Sequence, residues 1–382
     1  MAATRRGFLS GVLGPVFTGA SIIDQALFRA VRARAQASPA LPELFDIEKL
    51  AEGVWSAIAK PQTLINSNAV IFENARDLLI MDTHSKPSAV ASLVRQIRAR
   101  VSDKPVKYVV ASHFHWDHSQ GLPAYRRIAP NADLLASETT RKLIDRETVP
   151  RLKASFETLR ASVDDYKRKA AAAKTTAEKD GWERMRRETG DYLREMENFQ
   201  PELPNVTIER DLIIHDKNHD IHLAFRGRGH TGGDVVVYCP QKKVVATGDL
   251  LHGFFPFIGD GFPLEWPRTL LHVAEFDFEK IAGGHGGVSP RERVHQMGNY
   301  IEEVTELVSR GRRAGKTQAQ LETEIAPSKL RTVTDGGYGP STAAAILKLR
   351  RLPPGDHTVD SVLADGVKTN VGHIFAALGK NV

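Results

Sequence analysis

Thiols are almost absent. Cys239 is the one cysteine in 382 residues, so no internal disulfide can form and thiolate metal cages are excluded. Long apolar runs are missing as well. The one candidate, Gly7 to Ile23, is glycine-rich and shorter than the ~20 residues a membrane-spanning helix needs, and no second segment of that kind follows, so no stable membrane span is expected. Nor does the body carry a surplus of one charge. The net charge is +6, but residues 1–42 hold Arg5, Arg6, Arg29, Arg32 and Arg34 against Asp24 alone, so most of the excess sits at the start. That leaves no electrostatic footprint for nucleic acid. What is present is ordinary globular material, 41% hydrophobic and 26% charged, which excludes a disordered or polytopic membrane chain. At about 150 residues per domain the length fits two domains, or one large domain with additions.

Residues 1–37 read as an address. Arg5 and Arg6 precede Phe8 and Leu9, a weakly apolar stretch follows, and Ala33, Ala35 and Ala37 offer small-residue cleavage sites. This pattern describes a signal peptide, and the arginine pair resembles a twin-arginine signal. A periplasmic or exported protein is expected, with an uncleaved or cytoplasmic form as the alternative.

Short β-rich runs open the body at Val54 to Ala59, Ala69 to Glu73 and Asp77 to Asp82. Ser88 to Val101 has apolar residues at helical spacing, and Val106 to Ala111 is a continuous apolar run of the buried-strand kind. Alternating strands and helices predict an α/β layered architecture. Within 139–200 the apolar residues Leu152, Phe156, Leu159, Val163 and Tyr166, then Trp182, Met185, Thr189, Tyr192, Met196 and Phe199, step by three and four. That rhythm predicts a helical hairpin joined near residues 174–181, with Thr175 and Glu178 as a capping box. Strands resume at Val206–Glu209, Ile221–Phe225, Val235–Tyr238 and Val244–Ala246, and residues 291–382 read as a mainly helical C-terminal region.

Chemistry is concentrated in four clusters. His113-Phe114-His115-Trp116-Asp117-His118 directly follows the buried apolar run. A spacing of two puts His113 and His115 on one face, and imidazole with carboxylate suits zinc or iron. The other three are His230 in Gly227-Arg228-Gly229-His230-Thr231-Gly232-Gly233-Asp234, Asp249 in Thr247-Gly248-Asp249, and His285 in Gly283-Gly284-His285-Gly286-Gly287. Each stands at a strand-to-loop transition and is flanked by glycine.

This order of motifs resembles the metallo-β-lactamase-fold superfamily: H-x-H-x-D-H, a later G-H-T-x-G-D, then T-G-D, then G-H-G. The resemblance spans about residues 48–138 and 203–290 and implies a four-layer αββα sandwich, placed at 43–290 and interrupted by the insertion 139–200. It further implies that His113, His115 and His230 hold one metal, Asp117, His118 and His285 a second, and that Asp249 bridges them. Two divalent metals are expected, zinc first, iron or manganese otherwise. In such a site a bridging hydroxide attacks the substrate while Asp117 relays a proton. The complete seven-ligand set is similar to the glyoxalase II and lactonase members, so a small-molecule ester, thioester or lactone is the expected substrate. A mononuclear iron enzyme similar to sulfur dioxygenases is the alternative outside the hydrolases. A β-lactam hydrolase is disfavoured because the family's β-lactamases usually carry Cys or Ser where this chain has Asp249.

Weaker candidates complete the reading. Asp82, ending its strand, is a candidate to hold a ligand histidine from behind. His252, Phe254 and Phe255, with Phe257 and Phe262, are candidates to wall a substrate pocket. His215, His219 and His222 are expected on a solvated hairpin rather than in a third metal site, and Trp116 beside the metals. The inserted hairpin is expected to cover the site. Pairing with a second copy through Leu152 and Phe199, giving a homodimer, is the alternative use.

Overall fold

The chain is described by a computed structural model over residues 42–64, 66–335, 338–350 and 358–379. The leader expected at 1–37 lies outside the described residues.

Alternation along the strands builds the layers. In β3 (Ala69–Glu73), Ala69 and Ile71 join one core cluster while Val70 and Phe72 join another, as a period of two requires. One sheet takes the order β1 (Phe45–Ala51), β2 (Val54–Ala59), β3, β4 (Leu78–Met81), β5 (Val106–Val110), β6 (Asp133–Ser137), β7 (Val206–Ile208). It is antiparallel up to β4 and parallel from β4 onward. The second sheet runs β8 (Asp211–His215), β9 (Asp220–Phe225), β10 (Val235–Cys239), β11 (Val244–Gly248), β12 (Lys280–Gly283), β13 (Ser289–Pro290), parallel only between β11 and β12. Phe72, Leu79, Met81 and Val110 meet Leu223, Val237 and Val244 between the sheets, with Cys239 buried among them.

Helices close both outer faces. Val90, Leu93 and Ile97 of α1 (Pro87–Arg100) cover the first sheet, joined by Tyr125 of α3 (Leu122–Ile128), which follows the short α2 (Trp116–Ser119). The second sheet packs under α6 (Trp266–Ala274), α7 (Arg293–Arg313) and the last helix, Val359–Gly379, through Leu270, Val304 and Val371. The layers are thus helix, sheet, sheet, helix.

Four strands were not anticipated from the sequence: Phe45–Ala51, Asp133–Ser137, Asp211–His215 and the two-residue Ser289–Pro290. Charged residues cause the first miss, since Asp46, Glu48 and Lys49 face solvent on an edge strand. His215, His219 and His222 do lie on the β8–β9 hairpin; its turn is solvated at His215, Lys217 and Asn218, while His219 alone is 2% exposed and packs against Gly53.

Between β6 and β7 stand α4 (Glu138–Ala172) and α5 (Thr176–Glu195). Thr175 Oγ1 accepts the N–H of Glu178, while Glu178 Oε2 accepts the N–H of Lys174 rather than that of Thr175. The cap therefore reaches one residue further back than a capping box. Pro150 sits inside α4. Glu188 accepts from the N–H and hydroxyl of Thr63, both at 2.7 Å, and Glu195 accepts from the Ser88 N–H and hydroxyl at the start of α1, where an acidic group is favoured. Leu152 is 6% exposed and packs with Tyr192, Met196 and Leu64, so it is not leftover surface for a second copy.

Asn68 ties the first sheet to the loop beyond β12. Its Oδ1 accepts the Ala59 N–H, and its Nδ2 donates to Gly283 O at 2.9 Å and Gly286 O at 2.8 Å. Asn68→Ala takes the side-chain partner from two buried backbone groups and one half-buried one and is expected to destabilise the protein by about 3 kcal/mol. The denaturation midpoint in urea checks this, and an unchanged midpoint would remove Asn68 from that function.

Candidate metal centre

Every cluster singled out in the sequence meets at one edge of the sandwich. His113 follows β5, Asp249 follows β11, His285 follows β12, and His230 precedes β10. Side-chain donors of His113, His115 and His230 fall within 4.8 Å of one another, and so do those of Asp117, His118 and His285. Asp249 lies between the two groups, 3.3 Å from His118 Nε2, 3.3 Å from His285 Nε2 and 3.8 Å from His230 Nε2. Close approach explains two of the glycines. A Cβ at Gly284 would stand 2.2 Å from Asp249 Oδ1, and one at Gly248, whose φ is +53°, would stand 2.4 Å from Ser112 Oγ.

A layer of partners fixes four of the five rings, while His285 Nδ1 has no hydrogen-bonding partner among the described residues. Asp82 is in the left-handed region with φ +72°. Its Oδ2 lies 2.8 Å from His118 Nδ1 while its Oδ1 accepts the Ser112 N–H. His230 Nδ1 donates to the Phe257 carbonyl at 3.1 Å, and His113 Nδ1 meets Ser112 Oγ at 2.9 Å. His115 Nε2 faces Asp260 Oδ2 at 2.9 Å. Asp260 is held in turn by Arg151 of α4 through two bonds of 2.7 and 2.8 Å. Buried Asp234 accepts from the Thr231 N–H and hydroxyl and shapes the turn around His230, although burial lifts its carboxyl to about 7.

The donor set fits divalent metals. With His115 Nε2–H directed at Asp260 and His230 Nδ1–H at a carbonyl, the facing nitrogens His115 Nδ1 and His230 Nε2 both carry lone pairs, 2.8 Å apart. A cation between them removes that repulsion. His113 Nε2 and His118 Nε2 are buried without a hydrogen-bonding partner among the described residues, an expensive state unless a ligand takes them. Charge is divided between the groups. Burial holds His113 and His230 well below the ordinary imidazole range and therefore neutral. Burial opposes charge on His118 and His285 too, but Asp249 with Asp82 and Asp117 holds His118 well above that range, and Asp249 with Asp117 lifts His285 to about 9. Asp117 and Asp249 stay ionised, since the facing histidines outweigh the burial that would raise them. The first group is thus ready to ligate, while a cation entering the second displaces protons.

The weaker candidates separate. Phe254 stacks on His285 at 5.6 Å and 9°. Phe255 turns away into the core between Tyr300 and Tyr338, so its ring does not face the centre. Phe257 is 46% exposed beside His115 and His230, and Phe262 lies under Arg228. His252 is buried, takes the Phe254 N–H on Nδ1, and is held neutral by burial at about 4. Trp116 is 37% exposed and faces Tyr192 of the hairpin. Asp260 went unnoticed in the sequence, though Gly259-Asp260-Gly261 carries the same glycine-flanked signature as the ligands.

Asp260→Ala removes the acceptor that orients His115. Metal affinity is expected to fall 10- to 100-fold with the circular dichroism spectrum unchanged. Competition with a chromogenic chelator measures this, and equal affinity would show that Asp260 does not position the ring.

A family model described as the metallo-beta-lactamase superfamily matches residues 63–285. Among solved structures, a metallo-beta-lactamase from Pontibacter korlensis is 18% identical with a TM-score of 0.50, covering 68% of this chain and 99% of its own. The crystal structures of VMB-1 and of the DIM-1 metallo-beta-lactamase are 16% and 18% identical, each with a TM-score of 0.48 and covering 68% of this chain and 98% of theirs. At 18% identity the first of these speaks for a shared fold. The superfamily match extends over more than half of the chain and takes in every clustered histidine and aspartate from His113 to His285, and the chain belongs to the metallo-beta-lactamase superfamily.

Proposed function

We propose that this protein is a binuclear metal-dependent hydrolase, with zinc as the metal and an ester, thioester or lactone as the substrate. The observation that carries the reading is the double set of buried donors, one group of three histidines and one of Asp117, His118 and His285, with Asp249 between them. When bound, divalent metals supply Lewis acidity and a water made nucleophilic at neutral pH. The protein's own groups do the rest. His113 and His230 present neutral nitrogens beside His115, and Asp249 spans both groups. Asp117 is ionised, with its Oδ2 at 3.0 Å from His285 Nε2, and is the group placed to accept a proton and return it to the leaving group. Phe254 over His285 and Trp266 beside His230 exclude bulk water from two sides. The leader at 1–37 supports a further proposal, export of the folded protein by a twin-arginine route.

Elemental analysis of purified protein is expected to find about two zinc per chain. His115→Ala or Asp249→Ala is expected to lower kcat/KM on a hydrolase substrate panel by about 10²–10³-fold or more, to lower the metal content and to leave the fold intact. Full activity with full metal content in either variant would sink the assignment. One iron per chain with no hydrolysis would turn the reading to the mononuclear oxidoreductase. Changing Arg5 and Arg6 together to Lys is expected to leave full-length protein in the cytoplasm, and normal periplasmic accumulation would refute the export proposal.

A further inference from the structure

Between the hairpin and the metal-binding loop lies a cavity of about 190 Å³. Three stretches of chain form its walls: Leu64 from the loop after β2, Phe114 and Trp116 from the metal motif, and Leu152, Leu159 and Tyr192 from α4 and α5. His115 lines it as well, so one imidazole is shared between the cavity and the first metal group. We propose that this cavity seats an apolar arm of the substrate, a single aromatic ring or a straight chain of about six carbons. The proposal takes the reaction from the hydrolase reading above, but its binding argument is independent of that reading.

Size, polarity and position all point to that occupant. A cavity of ~150 Å³ lined by aliphatic and aromatic side chains stays dry and accepts benzene, so the present one has room for a ring or a short chain and little more. Most polar groups on its walls are engaged elsewhere, and one hydroxyl, that of Thr148, has no hydrogen-bonding partner among the described residues. Tyr192 OH donates to Gln120 Oε1 at 2.9 Å. Arg151 gives both terminal nitrogens to Asp260 and its Nε to Glu147, with the guanidinium 4.9 Å from the centre of the Phe114 ring. Its charge is neutralised at that distance, so an anionic arm meets no free cation, whereas a hydrocarbon arm loses only water. Because His115 belongs to both sites, the carbon joining the arm to the rest of the substrate comes to lie beside the metal group. Trp116, left 37% exposed although large and apolar, then acts as the rim on which the arm slides in.

Calorimetric titration of the zinc-loaded full chain with two matched pairs tests this: hexanoate against acetate, and hexan-1-ol against ethanol. Each methylene withdrawn from water strengthens binding by about fourfold, so the longer member of at least one pair is expected to bind at least about 30-fold tighter. A preference in the acid pair assigns the arm to the acyl half of the substrate, and one in the alcohol pair to the leaving half. Leu159→Trp and Ser155→Phe, on two wall positions of α4, fill the space, and either variant that folds is expected to reduce the preference to a few-fold. Equal binding within both pairs, or a full preference surviving in the filled variants, overturns the proposal. Ester turnover is measured separately. A chain-length preference without any hydrolysis leaves the cavity assignment standing and refutes the hydrolase reading, while hydrolysis without the preference does the reverse.

Discussion

Five imidazoles and two carboxylates converge at one buried edge with their donors within 4.8 Å inside each group, and the surrounding architecture answers to that concentration of polarity. Isolated buried charge is expensive, and it persists where partners neutralise it. Here neutralisation is layered. The carboxylates face the histidines that burial alone would strip of charge, and Asp82, Asp260, Ser112 and the Phe257 carbonyl hold the outer nitrogens. The ends of β5, β11 and β12 supply the geometry, because a strand end lets backbone stay paired while a side chain swings into the gap. Glycine at 248 and 284 lets those ends approach more closely than any Cβ allows.

The parts of the site that were legible in the sequence share one property, which is that their signal is local. His113, His115, Asp117 and His118 sit in one hexapeptide, and His230, Asp249 and His285 each announce a strand end through neighbouring glycines. The α/β layering was legible because strand-like and helix-like runs alternate along the chain, whereas the four-layer αββα order came with the resemblance that the motifs carry. What escaped is non-local or disguised. β1 hides behind the charges that protect its edge, and β6 is too short in apolar residues to stand out. Phe255 and Phe254 are adjacent in a run of aromatics, and only the packing of Tyr300 and Tyr338 decides that one faces the core and the other the metal group. Leu152 reads as a helix-stripe residue whose partner is open, until Leu64 and Tyr192 are seen to enclose it.

The inserted hairpin is attached to the sandwich at its root by Ile144 and Leu143, which join the core of the first sheet, and further out by polar bonds. Glu188 reaches Thr63, Glu195 caps the first turn of α1, and Arg151 grips Asp260 behind His115. Through the last of these a residue of the insertion bears on the orientation of a first-group histidine, so the added element is joined to the chemistry by two hydrogen-bonded steps. Its apolar side chains are divided among the core of the first sheet (Ile144, Leu143), the packing of α4 on α5, and the space beside Trp116.

Pro150 gives this hairpin a mechanical character. A proline inside a helix withholds one N–H and crowds the carbonyl four residues back, here that of Arg146, so α4 is most compliant at that point. Some 22 residues of the helix lie beyond it, a lever of about 33 Å at 1.5 Å per residue. A bend of about 5° at the joint therefore sweeps the tip through about 3 Å. Leu152, Ser155 and Leu159 stand only two to nine residues past the fulcrum, and the same bend displaces them by about 1 Å at most. The far end of the arm, where Tyr166 stacks on Trp182 and shares a pocket with Phe257 and Val362, can thus shift while the walls beside the metal-binding loop keep their spacing.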